Sequence, residues 1–315
     1  KTVKLAANID LSAHEWTPIG DCRHYPNSPE SSTQTHQFQG TFEGENFTIS
    51  GLRISAYRDP YSELAGLFGY TVNAHIRNVR LADASVQLDL TALPSEGFGG
   101  RMCTAGLLAS WIVGTEIENV SVSGSLQVTV DEKFVFSGFG GVVGLADCIM
   151  TPDRLDVPVE QGSSLSSISV EGLELLYTGG SGTSFATPVG FGGILGAQGV
   201  LYTADISIGG APIEEMELPT DIRNCRADGL TVTRVQSESS CHEGVGGIIG
   251  VAHGQVSVAD CTVQDFHAEL AAEMPEYRSP DVIAGLYLGG IAGVFDGGST
   301  MLRCTAQGEV YSDVT

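Results

Sequence analysis

Gly-Phe-Gly-Gly-Val-Val-Gly at residues 138–144 is the stretch that decides the fold, because the chain repeatedly returns to it. Close copies stand at 190–196 and 244–250, and more divergent copies at 64–69, 104–109 and 288–293. One glycine of each copy serves as an anchor for the alignment, and the anchors are Gly66, Gly106, Gly141, Gly193, Gly247 and Gly290. Six tandem copies of a short apolar unit flanked by glycine predict a repeat protein.

A second block follows each anchor and begins a run of alternating apolar residues. The blocks are Ile76–Val79, Ile117–Val120, Leu165–Ile168, Ile222–Cys225, Val258–Cys261 and Met301–Cys304. Alternation with a period of two predicts strands with one buried face. The block starts late in the third and fourth repeats, so residues 145–164 and 197–221 carry insertions.

One repeat therefore consists of short strands separated by glycine or Asn/Asp turns. Coiling the chain gives every strand a partner in the repeats before and after it, whereas a flat sheet would expose an edge. The sequence thus predicts an all-β solenoid of parallel strands in which equivalent positions stack. Asn78, Asn119 and Asn224, with Asp260 in the same slot, are expected to form an amide ladder at one corner.

Three cysteines share one slot of the repeat. Cys225, Cys261 and Cys304 stand where the earlier repeats have Val79, Val120 and Ile168, so the slot is predicted to face the core. Free cysteine packs as a small hydrophobic residue, and metal binding would need Cys/His clustering at ligand spacing. A column of buried thiols is the favoured interpretation.

Charge excludes several classes of partner. The formal net charge is −23, from 38 acidic and 15 basic residues. Nucleic acids and anionic membranes require a basic face, so neither is an expected partner. No apolar run approaches the roughly 20 residues of a spanning helix, so no membrane insertion is expected. Both ends are strand-like, and the chain is interpreted as part of a longer protein.

The N-terminal segment carries a resemblance to a known family. Leu5–Ser12, Trp16–Gly20, Phe38–Gly44 and Thr48–Leu52 resemble the segment that opens GLUG-repeat proteins. The glycine units followed by Ile-x-Asn-Val or Ile-x-Asn-Cys resemble the GLUG motif itself. This resemblance implies a right-handed parallel β-helix of about seven coils in a bacterial protein that is secreted or on the cell surface. It implies one domain over 1–315, with opening coils at 1–63 and six repeats at 64–315.

GLUG repeats also occur in adhesin-like proteins and beside the catalytic part of bacterial immunoglobulin A peptidases of the metallo type. The zinc motif of those peptidases, His-Glu-x-x-His, is incomplete here at both His14-Glu15 and His242-Glu243. Ser184 lies in a Gly-Thr-Ser-Phe-Ala-Thr-Pro segment like that of subtilisin-like proteases, but the partner signatures are absent. The glycine units precede strands, which argues against dinucleotide binding. No catalytic residue and no cofactor are therefore expected.

The two insertions gather acidic residues at what should be one corner of adjacent coils. Asp153, Asp156, Glu214 and Glu215 are the candidate ligands for calcium or for a cation-bridged glycan, since calcium prefers oxygen ligands. The alternative is two solvated loops of an acidic protein.

Three functional interpretations remain open. The first is an adhesin-like or scaffolding β-helix, non-catalytic, that recognises a glycan or a host or bacterial surface protein through its inserted loops. The second is a polysaccharide-processing lyase or hydrolase, and the third is a passive spacer. A basic or aromatic groove would favour the enzyme, and an exposed aromatic patch on the loops would favour binding.

Overall fold

A computed structural model describes most of the chain. The described residues are 1–20, 36–55, 62–89, 91, 101–130, 134–148, 157–179, 189–199, 207–208, 211–212, 218–236, 242–272, 285–295 and 298–314. They contain strands, turns and bends, and no helix is present among them. None of the described segments therefore offers an apolar helix long enough to cross a membrane.

The strands form three sheets whose pairings are parallel. The large sheet contains Thr2–Lys4, Ile9–Asp10, Thr41–Glu43, Thr48–Ser50, Arg53–Ile54, His75–Asp89, Glu116–Val130, Ser164–Glu171, Glu174–Gly179, Thr220–Arg223, Arg226–Asp228, Thr231–Gln236, Val256–Ala259, Thr262–Ala272, Thr300–Leu302 and Thr305–Val314. The pre-anchor sheet contains Ser62–Ala65, Arg101–Gly106, Phe134–Gly140, Val189–Gly192, His242–Gly246 and Gly285–Gly289. The post-anchor sheet contains Phe68–Val72, Ala109–Val113, Val143–Ala146, Leu195–Gln198, Ile249–Ala252 and Ala292–Phe295. A separate antiparallel pair joins Ser207–Ile208 to Ala211–Pro212. The predicted all-β class with parallel sheets is confirmed.

Strands of one repeat lie beside the equivalent strands of the next repeat. Ile117 pairs with Ile76 on one side and with Leu165 on the other. The same column continues through Ile222, Val258 and Met301. Its members are buried as far as Val258, whereas Met301 in the last repeat is 42% exposed. The column shows like residues lying on like residues across repeats.

The glycine anchors mark close approaches between successive repeats. A Cβ added at Gly141, Gly193 or Gly247 would overlap the carbonyl oxygen of the next anchor in the column. The register corrects the alignment of an earlier anchor, because Gly106 pairs with Gly140 rather than with Gly141. An apolar residue, Leu107, instead donates its N–H to the Gly141 carbonyl at 3.3 Å. Glycine is needed wherever the neighbouring backbone occupies the space of a side chain.

The corner slot that follows the first strand of each block holds single residues in left-handed conformation. Its members are Asn78, Asn119, Ser167, Asn224, Asp260 and Arg303, with φ from 52° to 58°. The Asn119 amide donates to the Asn78 carbonyl oxygen at 2.6 Å, and Asn78 donates to Glu43 at 2.7 Å. Ser167 separates these asparagines from Asn224. Asparagine and aspartate favour this conformation because their side chains bond locally.

The next slot turns inward and holds the three cysteines. Cys225 and Cys261 are buried, Cys304 is partly buried, and all three are free thiols. Burial raises the pKa of Cys304, which sits in the last repeat where the column ends. These thiols occupy the apolar column formed in earlier repeats by Val79, Val120 and Ile168.

Two apolar clusters lie on opposite faces of the post-anchor sheet. Ile112, Ala146 and Ala252 face the main core. Tyr70, Trp111, Leu145, Ala197 and Val251 face the other way and belong to a second cluster. Val159 and Leu218, which come from the two insertions, complete that second cluster. The insertions therefore cover a sheet face that would otherwise expose apolar side chains.

Candidate functional site

The ends of both insertions meet at one buried corner, which we call the clasp. It consists of Gly114, Asp147, Ser163 and Thr220. Asp147 opens the first insertion, Ser163 closes it, and Thr220 closes the second insertion. The two insertions thus leave the sheets side by side.

Asp147 holds the clasp together through four hydrogen bonds. Its Oδ1 accepts from the Gly114 N–H at 3.0 Å and from the Ser163 hydroxyl at 2.8 Å. Its Oδ2 accepts from the Ser163 N–H at 2.7 Å and from the Thr220 hydroxyl at 2.6 Å. Both lone-pair regions of the carboxylate are therefore satisfied, as a buried polar group requires.

The backbone at Asp147 is adapted to this position. The residue follows the strand Val143–Ala146 and has a φ of 50°, a left-handed conformation that aspartate tolerates better than most residues. Only 2% of Asp147 is exposed to solvent. The turn directs the carboxylate into the protein rather than into the acidic loop that follows it.

The clasp extends into a buried row of hydroxyl groups. The Thr115 N–H donates to the Ser163 hydroxyl at 3.0 Å, and the Thr115 and Thr71 hydroxyls lie 2.9 Å apart. Thr71, Thr115, Ser163 and Thr220 are each at most 1% exposed. The row ties the insertions to the preceding repeats. Its groups are enclosed, so it positions the loops and offers no surface to a ligand.

The candidate metal ligands of the insertions fall outside the part of the chain that the structure describes. These residues are Asp153, Asp156, Glu214 and Glu215, and Ser184 also lies outside the described residues. Within the described ranges, no group of three or more His, Cys, Asp or Glu residues is arranged to hold a metal ion. Calcium binding by the insertions stays a prediction.

The burial of Asp147 could not be foreseen from composition, because it belongs to a run of acidic insertion residues. A weaker signal was present in the alignment. Thr115, Ser163 and Thr220 each stand two residues before their Ile or Leu block, so a hydroxyl recurs in three successive repeats. Hydroxyl groups at equivalent positions of successive repeats predict a row of hydrogen bonds, and Asp147 is a neighbour of that row.

A histidine–carboxylate pair lies exposed on the large sheet. His75 Nδ1 lies 2.8 Å from Glu116 Oε2, and the two side chains are 51% and 48% exposed. Thr41 lies beside His75 in the register. The N–H groups of all three residues donate to strand or turn carbonyls, so none is available as an oxyanion-hole donor. An exposed pair of this kind on an open sheet face gives no support for nucleophilic catalysis.

Comparison with known proteins gives one solved structure of similar fold. No family model matches the chain, and no curated protein matches it. The chain is similar to a crystal structure from Bacteroides ovatus described as a proposed immunoglobulin A1 protease, with a TM-score of 0.52 and 16% sequence identity. The similarity covers 98% of this chain and 70% of the other. At this identity the likeness concerns the fold.

Replacement of Asp147 by alanine tests the clasp. The variant leaves the buried N–H groups of Gly114 and Ser163 without an acceptor, at a cost of about 2–5 kcal/mol in the free energy of unfolding. Chemical denaturation monitored by circular dichroism measures the change. Glu160→Ala is the matched control, because Glu160 is an exposed acid of the same insertion and should alter stability by less than about 0.5 kcal/mol. Equal stability of the two variants would contradict the clasp.

The pH dependence of stability tests the protonation of Asp147, with Asp147→Asn as the reference variant. Burial raises the pKa of Asp147 above its ordinary value of 3.8, although the four hydrogen bonds oppose that shift. The folded chain then binds the proton more tightly than the unfolded chain, so the stability contributed by this carboxyl declines as the pH rises above 3.8. We expect the unfolding free energy of the wild type minus that of Asp147→Asn to fall with rising pH and then level off. A difference that grows with pH would mean that the hydrogen bonds outweigh burial.

Proposed function

We propose that the chain is a right-handed parallel β-helix of about seven coils that acts as a scaffold in a secreted or surface-exposed bacterial protein. Its two insertions form a non-catalytic recognition face for a glycan or a surface protein. Parallel pairing of equivalent strands in successive repeats supports the helix, because each of the six repeats then supplies strands to all three sheets. The fold likeness to the Bacteroides ovatus structure is compatible with the same architecture.

The clasp is the observation that carries the proposed recognition role. A passive spacer needs no device that joins the ends of two loops from adjacent repeats. Here one buried carboxylate bonds to the end of its own insertion and to the end of the next. Fixed loop ends reduce the entropy that two long loops would lose on binding, so the arrangement favours a preorganised binding face.

The proposed immunoglobulin A1 protease activity of the structural neighbour raises the enzyme alternative for this chain. Two features favour the non-catalytic role. The zinc motif is incomplete at His14 and at His242. The described His75–Glu116 pair has no available oxyanion donors beside it.

A glycan array probed with the purified chain tests the proposal. We expect binding to a restricted set of glycans, and stronger binding with calcium than with a chelator, because the acidic insertions supply oxygen ligands. Binding to host and bacterial surface proteins is measured in parallel on the same preparation. Absence of any selective binding in both formats would overturn the recognition role and favour the spacer. Turnover of a bound glycan would favour the enzyme.

A further inference from the structure

A shallow groove crosses the outer face of the large sheet, away from the insertions. Its volume is about 420 Å³, and none of its lining residues belongs to either insertion. Four neighbouring strands form its floor, and residues with positive φ lie at its two sides. Asn119 with a φ of 53° bends one side, and Gly124 with a φ of 148° bends the other. The bends give a concave face to a sheet that would otherwise be open.

Hydroxyl and amide groups dominate the side chains of this groove. Thr48, Arg80, Ser121 and Ser169 occupy one outward column across four strands. Asn46, Asn119 and Ser123 add further donors and acceptors, and Glu171 lies at one end. Hydroxyl and amide groups both donate and accept hydrogen bonds, so such a row suits a ligand rich in hydroxyls.

Arg80 differs from the ion-paired arginines on this sheet. Arg77, Arg223 and Arg226 each form an ion pair, with Glu43, Asp221 and Asp228 respectively. Arg80 is exposed, and no carboxylate of the described residues lies within ion-pair distance of it. Although the protein has a net charge of −23, the exposed guanidinium of Arg80 attracts anions locally.

The groove carries opposite charges at Arg80 and at Glu171. Arg80 lies on the strand His75–Asp89, and Glu171 lies two strands away at the end of Ser164–Glu171. A ligand with a carboxylate at every unit would be repelled by Glu171. A ligand with one terminal carboxylate followed by neutral, hydroxyl-rich units matches both ends, since arginine binds carboxylates with two parallel hydrogen bonds.

A peptide fits this groove poorly. Extended peptides bind by adding a strand to a sheet edge or by placing side chains in apolar pockets. The groove lies on a sheet face whose backbone groups are already paired with neighbouring strands, and its lining holds no aromatic side chain. We propose that it is a second binding site, which accepts an oligosaccharide whose terminal acidic sugar meets Arg80 and whose neutral sugars run toward Glu171.

Titration with sialyllactose tests this site, with a neutral trisaccharide of equal length as the comparison ligand. We expect NMR or calorimetric titration of the wild type to show binding of sialyllactose and much weaker binding of the neutral trisaccharide. Arg80→Gln should weaken sialyllactose binding about tenfold or more, because it removes hydrogen bonds to a charged group. Arg80→Lys should give an intermediate loss, since it keeps the charge without the planar fork.

Arg226→Gln is the matched control. Arg226 lies in the same outward column, beside Ser169, but it is paired with Asp228 and is absent from the groove lining. Its replacement should leave sialyllactose affinity unchanged, and thermal unfolding confirms that both variants fold. Equal affinities of the Arg80→Gln and Arg226→Gln variants, or no binding at about 10 mM ligand, would overturn the proposal.

The site is independent of the recognition face proposed for the insertions. The variant with Asp153→Asn, Asp156→Asn, Glu214→Gln and Glu215→Gln should bind sialyllactose as the wild type does. If that variant loses the binding and Arg80→Gln retains it, the acidic sugar is held by the insertions and the groove proposal fails. Loss in Arg80→Gln alone supports the groove, whatever the array shows for the insertions.

Discussion

Replacing Gly193 by alanine should destabilise the protein by more than about 3 kcal/mol, or prevent folding. The added Cβ would overlap the carbonyl oxygen of Gly247 in the next repeat and would press on the Leu230 side chain. Gly247 lies in the short turn between His242–Gly246 and Ile249–Ala252, so its backbone cannot move aside without disturbing the paired strands on both sides of the turn. Equilibrium unfolding in denaturant, followed by circular dichroism, measures the effect.

Gly172→Ala separates this steric effect from backbone conformation. Gly172 has a φ of 58° and no atom within 4 Å of an added Cβ. Its replacement should therefore cost only the left-handed penalty of about 1–2 kcal/mol. If Gly193→Ala were no more destabilising than Gly172→Ala, the close approach of successive repeats at the anchors would be wrong.

Removal of the Glu243 carboxylate is expected to lower the free energy of unfolding by about 3–5 kcal/mol, because it leaves the buried guanidinium of Arg234 without a counter-charge. Arg234 Nε lies against Glu243 Oε2, and both side chains are fully buried. Within the described residues, no guanidinium nitrogen of Arg234 makes a hydrogen bond of regular geometry. The experiment compares Glu243→Ala with the wild type by denaturant unfolding.

The double variant Arg234→Leu, Glu243→Val provides the decisive control. Arg234 is flanked in its column by Tyr177 and Leu270, and Glu243 is flanked by Val189. Apolar residues at both positions would continue these columns without a charge to desolvate. We expect the double variant to be at least as stable as the wild type, since buried ion pairs often add little over well-packed apolar residues. A double variant less stable than Glu243→Ala would show that the pair is strongly stabilising.

Much of the fold could be predicted because stacked repeats copy their chemistry from strand to strand. The Ile-x-Asn blocks align in the structure as they do in the sequence, with Ile76, Ile117 and Leu165 in one column. The inward slot shared by Val79, Val120 and Cys225 was recognisable for the same reason. Alternation along a strand and similarity between repeats can both be recognised in the sequence itself.

Interactions between different columns could not be predicted in this way. Arg234 breaks the apolar alternation of its strand, and its partner Glu243 lies on another strand, across a connection that no periodicity relates to it. The one-residue offset between Gly106 and Gly141 was hidden because several adjacent glycines allow more than one alignment. The role of Asp147 depends on the ends of two insertions meeting, which only the three-dimensional arrangement shows.

Binding by the insertion variant is the most direct test of the central claim, that the stack positions the loops and the loops recognise the partner. The measurement compares the wild type with the variant Asp153→Asn, Asp156→Asn, Glu214→Gln, Glu215→Gln on the same glycan array, with and without calcium. We predict that the variant keeps the unfolding free energy of the wild type but loses the calcium-dependent binding. Unchanged binding by a folded variant would contradict the assignment of recognition to these acidic insertions.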